Sequence, residues 1–183
     1  MIKNIFLTGP RNVGKSTIIK AALVLFVGTV GGFTTLPKLL NDGRRVFLMD
    51  SFNLDYPANY IPYICEVGKN AKLEPILKTF DDFGVRILDD SLQKEVDLVV
   101  MDELGVFESE AIYFQEKVKS CLASPIPVLG VIKAKDTKFL KEISDRTDVQ
   151  VVNVTVNNRK LIKTEIQNII VKQFNPIANE ERR

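Results

Sequence analysis

The chain has 183 residues, 45% of them hydrophobic, enough for one core that buries roughly 70% of the surface an unfolded chain exposes. Lys and Arg total 25 against 23 Asp and Glu, and a net charge of +2 supplies no general field for gathering nucleic acid or coating an anionic membrane. The absence of histidine removes His general bases, His-dependent triads and most zinc sites, leaving carboxylates, lysines, backbone amides and oxygen-bound metals for any chemistry.

Short runs rich in β-branched residues alternate with helix-like stretches, the pattern of a mostly parallel sheet flanked by helices. In chain order the pattern predicts strands over 4–8, 32–35, 45–49, 96–101, 127–132 and 149–154. Helices are predicted over 15–26, 81–93, 110–123, 138–144 and 159–172, with Ser109, Thr137 and Asn157 as N-caps. The runs VDLVVM and PVLGVI are nearly continuous apolar segments, as for strands buried on both faces. Pro37, Pro57, Pro62, Gly43 and Gly68 break up 36–73, which reads as loops with edge-strand or hairpin pieces. One domain is expected over 1–174, followed by a polar tail over 175–183.

Cys65 and Cys121 stand far apart without CxxC spacing, which fits a reducing, cytoplasmic setting better than a disulfide-stapled secreted domain. Ahead of Gly9 stand a single Lys3 and the apolar run Ile5-Phe6-Leu7, which is too short for a signal-peptide core. The longest greasy stretch, Ala21 to Val27, falls well short of the ~20 residues needed to cross a bilayer.

Gly9-Pro10-Arg11-Asn12-Val13-Gly14-Lys15-Ser16 fits G-x-x-x-x-G-K-[ST], directly after a strand and opening a helix. In that setting the backbone of Gly9 through Thr17 wraps around phosphates with its N–H groups, which Pro10 alone lacks, pointing inward, aided by the partial positive charge of the helix N-terminus. Lys15 then reaches the β- and γ-phosphates, and Ser16 places its hydroxyl on Mg²⁺. Arg11 reads either as a solvated loop residue or as a cation for the transition state.

A phosphate loop needs a partner carboxylate at the end of another strand. Asp102 follows the VDLVVM run and is the metal-side candidate; Glu103, next in the chain, is placed to orient or deprotonate water. The competing reading makes Asp102 a turn cap and leaves Glu103 in solvent. Asp102-Glu103-Leu104-Gly105 also fits the D-x-x-G of switch GTPases, but no N-K-x-D for guanine is present, the nearest segment being Asn157-Asn158-Arg159-Lys160.

GPRNVGKST, GGFTT, FDDFGV, VVMDELG, PVLGVI and DVQVVNVTVNNR, in this order, resemble the small P-loop nucleoside-triphosphatases described from thermophiles and known in vertebrates as cancer-related nucleoside-triphosphatase. The resemblance covers most of the chain from Lys3 to about Ile169. It implies a three-layer P-loop α/β fold with a RecA-like sheet and slow, Mg²⁺-dependent hydrolysis of several nucleoside triphosphates, ATP and GTP among them. By matching position it implies Asp102 as metal-side acid, Glu103 as water-orienting acid, Asn158 and Arg159 near the base or ribose, and a further acidic position at Glu108. The family's phosphate loops commonly carry Pro-Gly where Arg11-Asn12 stand. Many members also place His or Arg after PVLGVI, where this chain has Lys133-Ala134-Lys135, a segment that reads as a solvated basic loop or as a source of point charge.

Two other activities use the same parts. A small-molecule kinase would draw an acceptor pocket from Asp50, Asp55 and the irregular 51–72 segment, and a nucleotide-dependent binding module or switch would use hydrolysis as a timer.

Overall fold

Alternation of apolar side chains along buried strands divides this chain's core into two halves, one on each side of a sheet. The computed structural model describes residues 2–68 and 71–175; of the tail expected over 175–183, all beyond Asn175 lies outside the described residues. The elements run β1 (Asn4–Thr8), α1 (Lys15–Leu23), β2 (Val30–Leu39), β3 (Arg45–Ser51), β4 (Cys65–Val67), β5 (Leu73–Pro75), α2 (Val85–Gln93) and β6 (Leu98–Leu104). They continue α3 (Ile112–Ala123), β7 (Val128–Ile132), α4 (Lys138–Ser144), β8 (Val149–Asn153) and α5 (Arg159–Ile169), with wide helical turns at Thr79–Gly84 before α2 and Ile170–Phe174 after α5.

Six strands form one sheet in the order β3-β2-β6-β7-β1-β8, parallel except for β3, which pairs antiparallel with β2. Phe6, Val99, Met101 and Val128 face the side covered by α2, α3 and α4; Ile5, Leu7, Leu98, Val100, Leu129 and Val131 face the side covered by α1 and α5. Gly130 sits in the middle of β7 because a Cβ there would lie 2.6 Å from the Phe6 ring and 2.7 Å from Met101 O. This is a three-layer P-loop fold with a mostly parallel, RecA-like sheet. Because β7 lies between β1 and β6, the C-terminal ends of all three strands, and the loops that follow them, share one edge of the sheet.

Local chemistry explains where the elements depart from the sequence reading. Helix α1 ends at Leu23, not residue 26, as tight turns Leu25 N–H to Ala22 O and Phe26 N–H to Leu23 O lead the chain toward β2. Ser109 does not cap α3: the helix begins three residues later, and Asp81, from the turn before α2, accepts the Phe114 N–H at 3.0 Å. Thr137 does cap α4, accepting the Leu140 N–H, whereas the N-cap of α5 is Asn158, one residue past Asn157.

Segment 36–73 holds the edge strand and hairpin pieces expected of it, β3 at the sheet edge and the β2–β3 and β4–β5 pairs, but the first hairpin is longer than the sequence reading. Strand β2 runs on to Leu39, although its pairing with β6 ends at Thr34 opposite Asp102, so the β2–β3 hairpin rises five residues, roughly 17 Å, above the sheet edge. Pro37 is accommodated there because β6 no longer flanks the strand and no ladder bond is lost on that side.

Candidate active site

The phosphate loop is shaped by its own backbone. Gly9 has φ +131°, and a Cβ on it would lie 2.2 Å from Val154 O, so only glycine passes between β1 and the start of the β8–α5 loop. Gly14 has φ +107°, and a Cβ on it would meet nothing within 4 Å, so the space beside it is open and its backbone conformation alone favours glycine. Val13, 4% exposed, pins the loop to the core, while Pro10, Arg11 and Asn12 ride outside, Asn12 at φ +60°. Lys15 opens α1 with its ammonium turned back into the loop, donating to Gly9 O and Pro10 O at 2.9 Å each. Arg11 reaches the protruding hairpin, its guanidinium 5.9 Å from the centre of the Phe47 ring, a cation–π contact linking the loop's outer turn to β3. Thr17 is exposed at the first turn of α1.

Ser16 and Asp102, 86 residues apart, meet across the sheet edge with Ser16 Oγ donating to Asp102 Oδ1 at 3.1 Å. Asp102 is 5% exposed, and burial pushes its carboxyl up to about 6, with Glu103 adding to the rise and the Ser16 bond, Lys20 and Lys15 opposing it. The strand does not stop before this acid, as the sequence suggested: Asp102 still pairs with Thr34 on one side and Val131 on the other. The irregularity comes one residue later. Asp102 pairs with Val131 and Leu104 with Ile132, leaving Glu103 as the extra residue of a β-bulge. Leu104 therefore returns to the same face as Met101, and the Glu103 side chain leaves the ladder beside the site.

Glu103 is ion-paired through Oε1 with Lys133 Nζ at 2.9 Å, and its N–H donates to Thr35 Oγ1 at 3.4 Å. Of the two lysines read as a basic loop, Lys133 is thus drawn into the site, while Lys135 is exposed. Glu108, 3% exposed, accepts the Gly105 N–H at 2.6 Å, and burial pushes its carboxyl up to about 7. Sequence reading offered Lys133 as a source of point charge but missed its pairing with Glu103, the Thr35 contact to Glu103 and the Arg11–Phe47 contact; their signal lies in strand register, which no local motif encodes.

The β8–α5 loop lies against the phosphate loop, with Val154 N–H donating to Thr8 O at 2.8 Å. Within it Asn158 accepts the Thr155 N–H at 2.7 Å and donates to Asn153 O at 2.9 Å, so its side chain shapes the loop; Arg159, next to it, is exposed. Among the described residues of 51–72, which the kinase reading would use as an acceptor pocket, Tyr56 OH donates to Asp50 Oδ1 at 2.8 Å, and the Tyr56 and Tyr60 rings pack on Phe83 at 4.9 and 5.4 Å. Burial and the Asp50 bond push the Tyr56 hydroxyl up to about 12.

The donors at the loop are hard oxygens, Ser16 hydroxyl and Asp102 carboxylate, and no group of three or more acidic, His or Cys side chains able to hold a metal is present among the described residues. Such a sparse set suits Mg²⁺, which keeps waters and takes one or two protein ligands together with substrate phosphates. No helix among the described residues is long and apolar enough to cross a membrane.

A model of the NTPase family matches residues 4–167. The nucleoside-triphosphatase THEP1 of Thermotoga sp. (strain RQ2) is 31% identical over 170 residues, covering 91% of this chain and 94% of that one. The solution structure of a human cancer-related nucleoside triphosphatase superposes with a TM-score of 0.66 at 28% identity, covering 93% of this chain and 98% of that one. The crystal structure of THEP1 from the hyperthermophile Aquifex aeolicus superposes with a TM-score of 0.71 at 18% identity, over 91% of this chain and 98% of that one, and shares the fold.

Proposed function

The chain belongs to the NTPase family and is a hydrolase of nucleoside triphosphates, and from that premise we propose how its residues divide the reaction. One P-loop domain, spanning 1–174, carries all the parts. The backbone N–H groups between Gly9 and Thr17, Pro10 having none, receive the phosphates, and Lys15 exchanges the Gly9 and Pro10 carbonyls for β- and γ-phosphate oxygens. Ser16 and Asp102 would hold Mg²⁺, which when bound would offset the negative charge of the triphosphate. Glu103 orients the attacking water and accepts its proton as the water oxygen bonds to the γ-phosphorus; the bond to the β–γ bridging oxygen breaks, and diphosphate keeps that oxygen.

The observation that carries this reading is the adjacency across the sheet edge of the Ser16–Asp102 pair and Glu103, whose backbone leaves the ladder at that point. Base choice is loose. Asn158 is committed to its own loop, no N-K-x-D is present, and the exposed Arg159 offers a flat cation that stacks on any base. The enzyme works in the cytoplasm, a placement supported by two buried free cysteines.

Phosphate release assayed with ATP, GTP, CTP and UTP, with and without Mg²⁺, tests the proposal. Turnover should require the metal, and ATP and GTP should differ by no more than about tenfold, roughly 1.4 kcal/mol. A GTP preference above a thousandfold would instead make Asp102 to Gly105 the D-x-x-G of a switch.

A further inference from the structure

Lys133 stands at the tip of β7, the strand that separates the phosphate-loop strand from the acid-bearing strand. Its main-chain N–H donates to Leu104 O at 2.9 Å, so its backbone is fixed by the same β6–β7 pairing that contains the Glu103 bulge. The side chain then crosses Gly105, where a Cβ would lie 2.8 Å from Lys133 Cδ; glycine at that position leaves room for the lysine stem. The ammonium ends 2.9 Å from Glu103 Oε1 and 5.5 Å from the centre of the Phe107 ring. Beneath it, Glu108 takes the Gly105 N–H and shares with Glu103, Lys133 and Thr35 the lining of a cavity of about 30 Å³.

An exposed Lys–Glu pair with two free stems contributes only ~0–1 kcal/mol and holds little in place. Here the stem is seated between Gly105 and Phe107, and both partners leave backbone that one strand pair fixes, so the geometry is ordered before substrate arrives. We propose that Lys133 is the positioning residue for Glu103: by engaging Oε1 it holds the carboxylate in one orientation and leaves Oε2 to receive the proton of the attacking water. Lys133 transfers no proton and touches no reacting atom. The inference rests on the reading of Glu103 as the water-orienting acid.

The test measures kcat and KM for phosphate release from MgATP in Lys133→Met, Lys133→Gln, Lys133→Arg, Glu103→Gln and the Glu103→Gln/Lys133→Met double variant, with Lys138→Met as an exposed-lysine control. Removing the cation should lower kcat about 10- to 100-fold with KM within about threefold, and Lys133→Arg should recover most of the rate. The double variant should be no more than about twofold slower than Glu103→Gln, because the two residues act as one unit. Thermal unfolding confirms that each variant is folded, and the Met and Gln variants stand in for each other if one is not. Wild-type kcat in both uncharged variants overturns the inference, as does a double variant that is slower than Glu103→Gln by the full Lys133→Met factor, since that would mean independent action on the phosphates. Wild-type turnover in Glu103→Gln would instead overturn the role of Glu103 itself, and the inference with it.

Discussion

The phosphate loop and the acidic turn at the end of β6 occupy the same sheet edge but are held by different physics. The loop is fixed mainly by its own chain: two positive-φ glycines, one buried valine and a lysine satisfied by carbonyls five and six residues back. The acidic turn is fixed by partners from elsewhere in the sequence, with Ser16 on Asp102, and Thr35 and Lys133 on Glu103. Phosphate binding is therefore a property of one short segment, whereas placement of the water-orienting acid is a property of how β6 pairs with its neighbours.

The sharpest way to break this comparison is at Lys15. Lys15→Ala should weaken triphosphate binding by at least about a hundredfold, read by calorimetric titration, because it deletes the charge-assisted contacts to two phosphates. Affinity within a few-fold of the parent would mean that the backbone alone does the binding.

The two loop glycines sharpen it further. Gly9→Ala should cost ~3 kcal/mol or more in stability, a fall in Tm of roughly 10 °C, since its Cβ meets the Val154 carbonyl at 2.2 Å. Gly14→Ala should cost only ~1–2 kcal/mol from backbone strain, as its Cβ meets nothing, yet should lose more nucleotide affinity than its stability change accounts for. Equal stability losses would show that the close approach at Gly9 is relieved by movement of the β8–α5 loop.

How much of this was legible in the sequence follows the same division. Strand alternation, the two-sided burial of β6 and β7, and the glycine-lysine loop were readable because each is a pattern within a few consecutive residues. The Glu103 bulge, the height of the β2–β3 hairpin and the Lys133 partnership were not, because each is set by register between strands far apart in the chain. Ser109 failed as a cap for a related reason: Asp81, 33 residues before Phe114, supplies the acceptor.

A smaller effect probes the acidic side. Glu108 titrates near 7 in the folded chain against an ordinary 4.5, so between those values the folded state holds a proton that the unfolded state releases. Stability should therefore fall as pH rises through that window and stay lower above it. Glu108→Gln keeps an acceptor for the Gly105 N–H but no charge, so it should flatten the fall and leave the variant up to about 3 kcal/mol more stable than the parent at pH 8. Denaturant unfolding from pH 5 to 8 checks this, and an unchanged slope would remove Glu108 from the account.

The division between binding and chemistry is tested most directly by Glu103→Gln, with MgATP affinity by calorimetry and phosphate release by single turnover measured on the same preparation. The expected result is affinity within a few-fold of the parent and a rate lower by roughly 10²- to 10⁴-fold. Wild-type turnover, or affinity lost in proportion to rate, would contradict it.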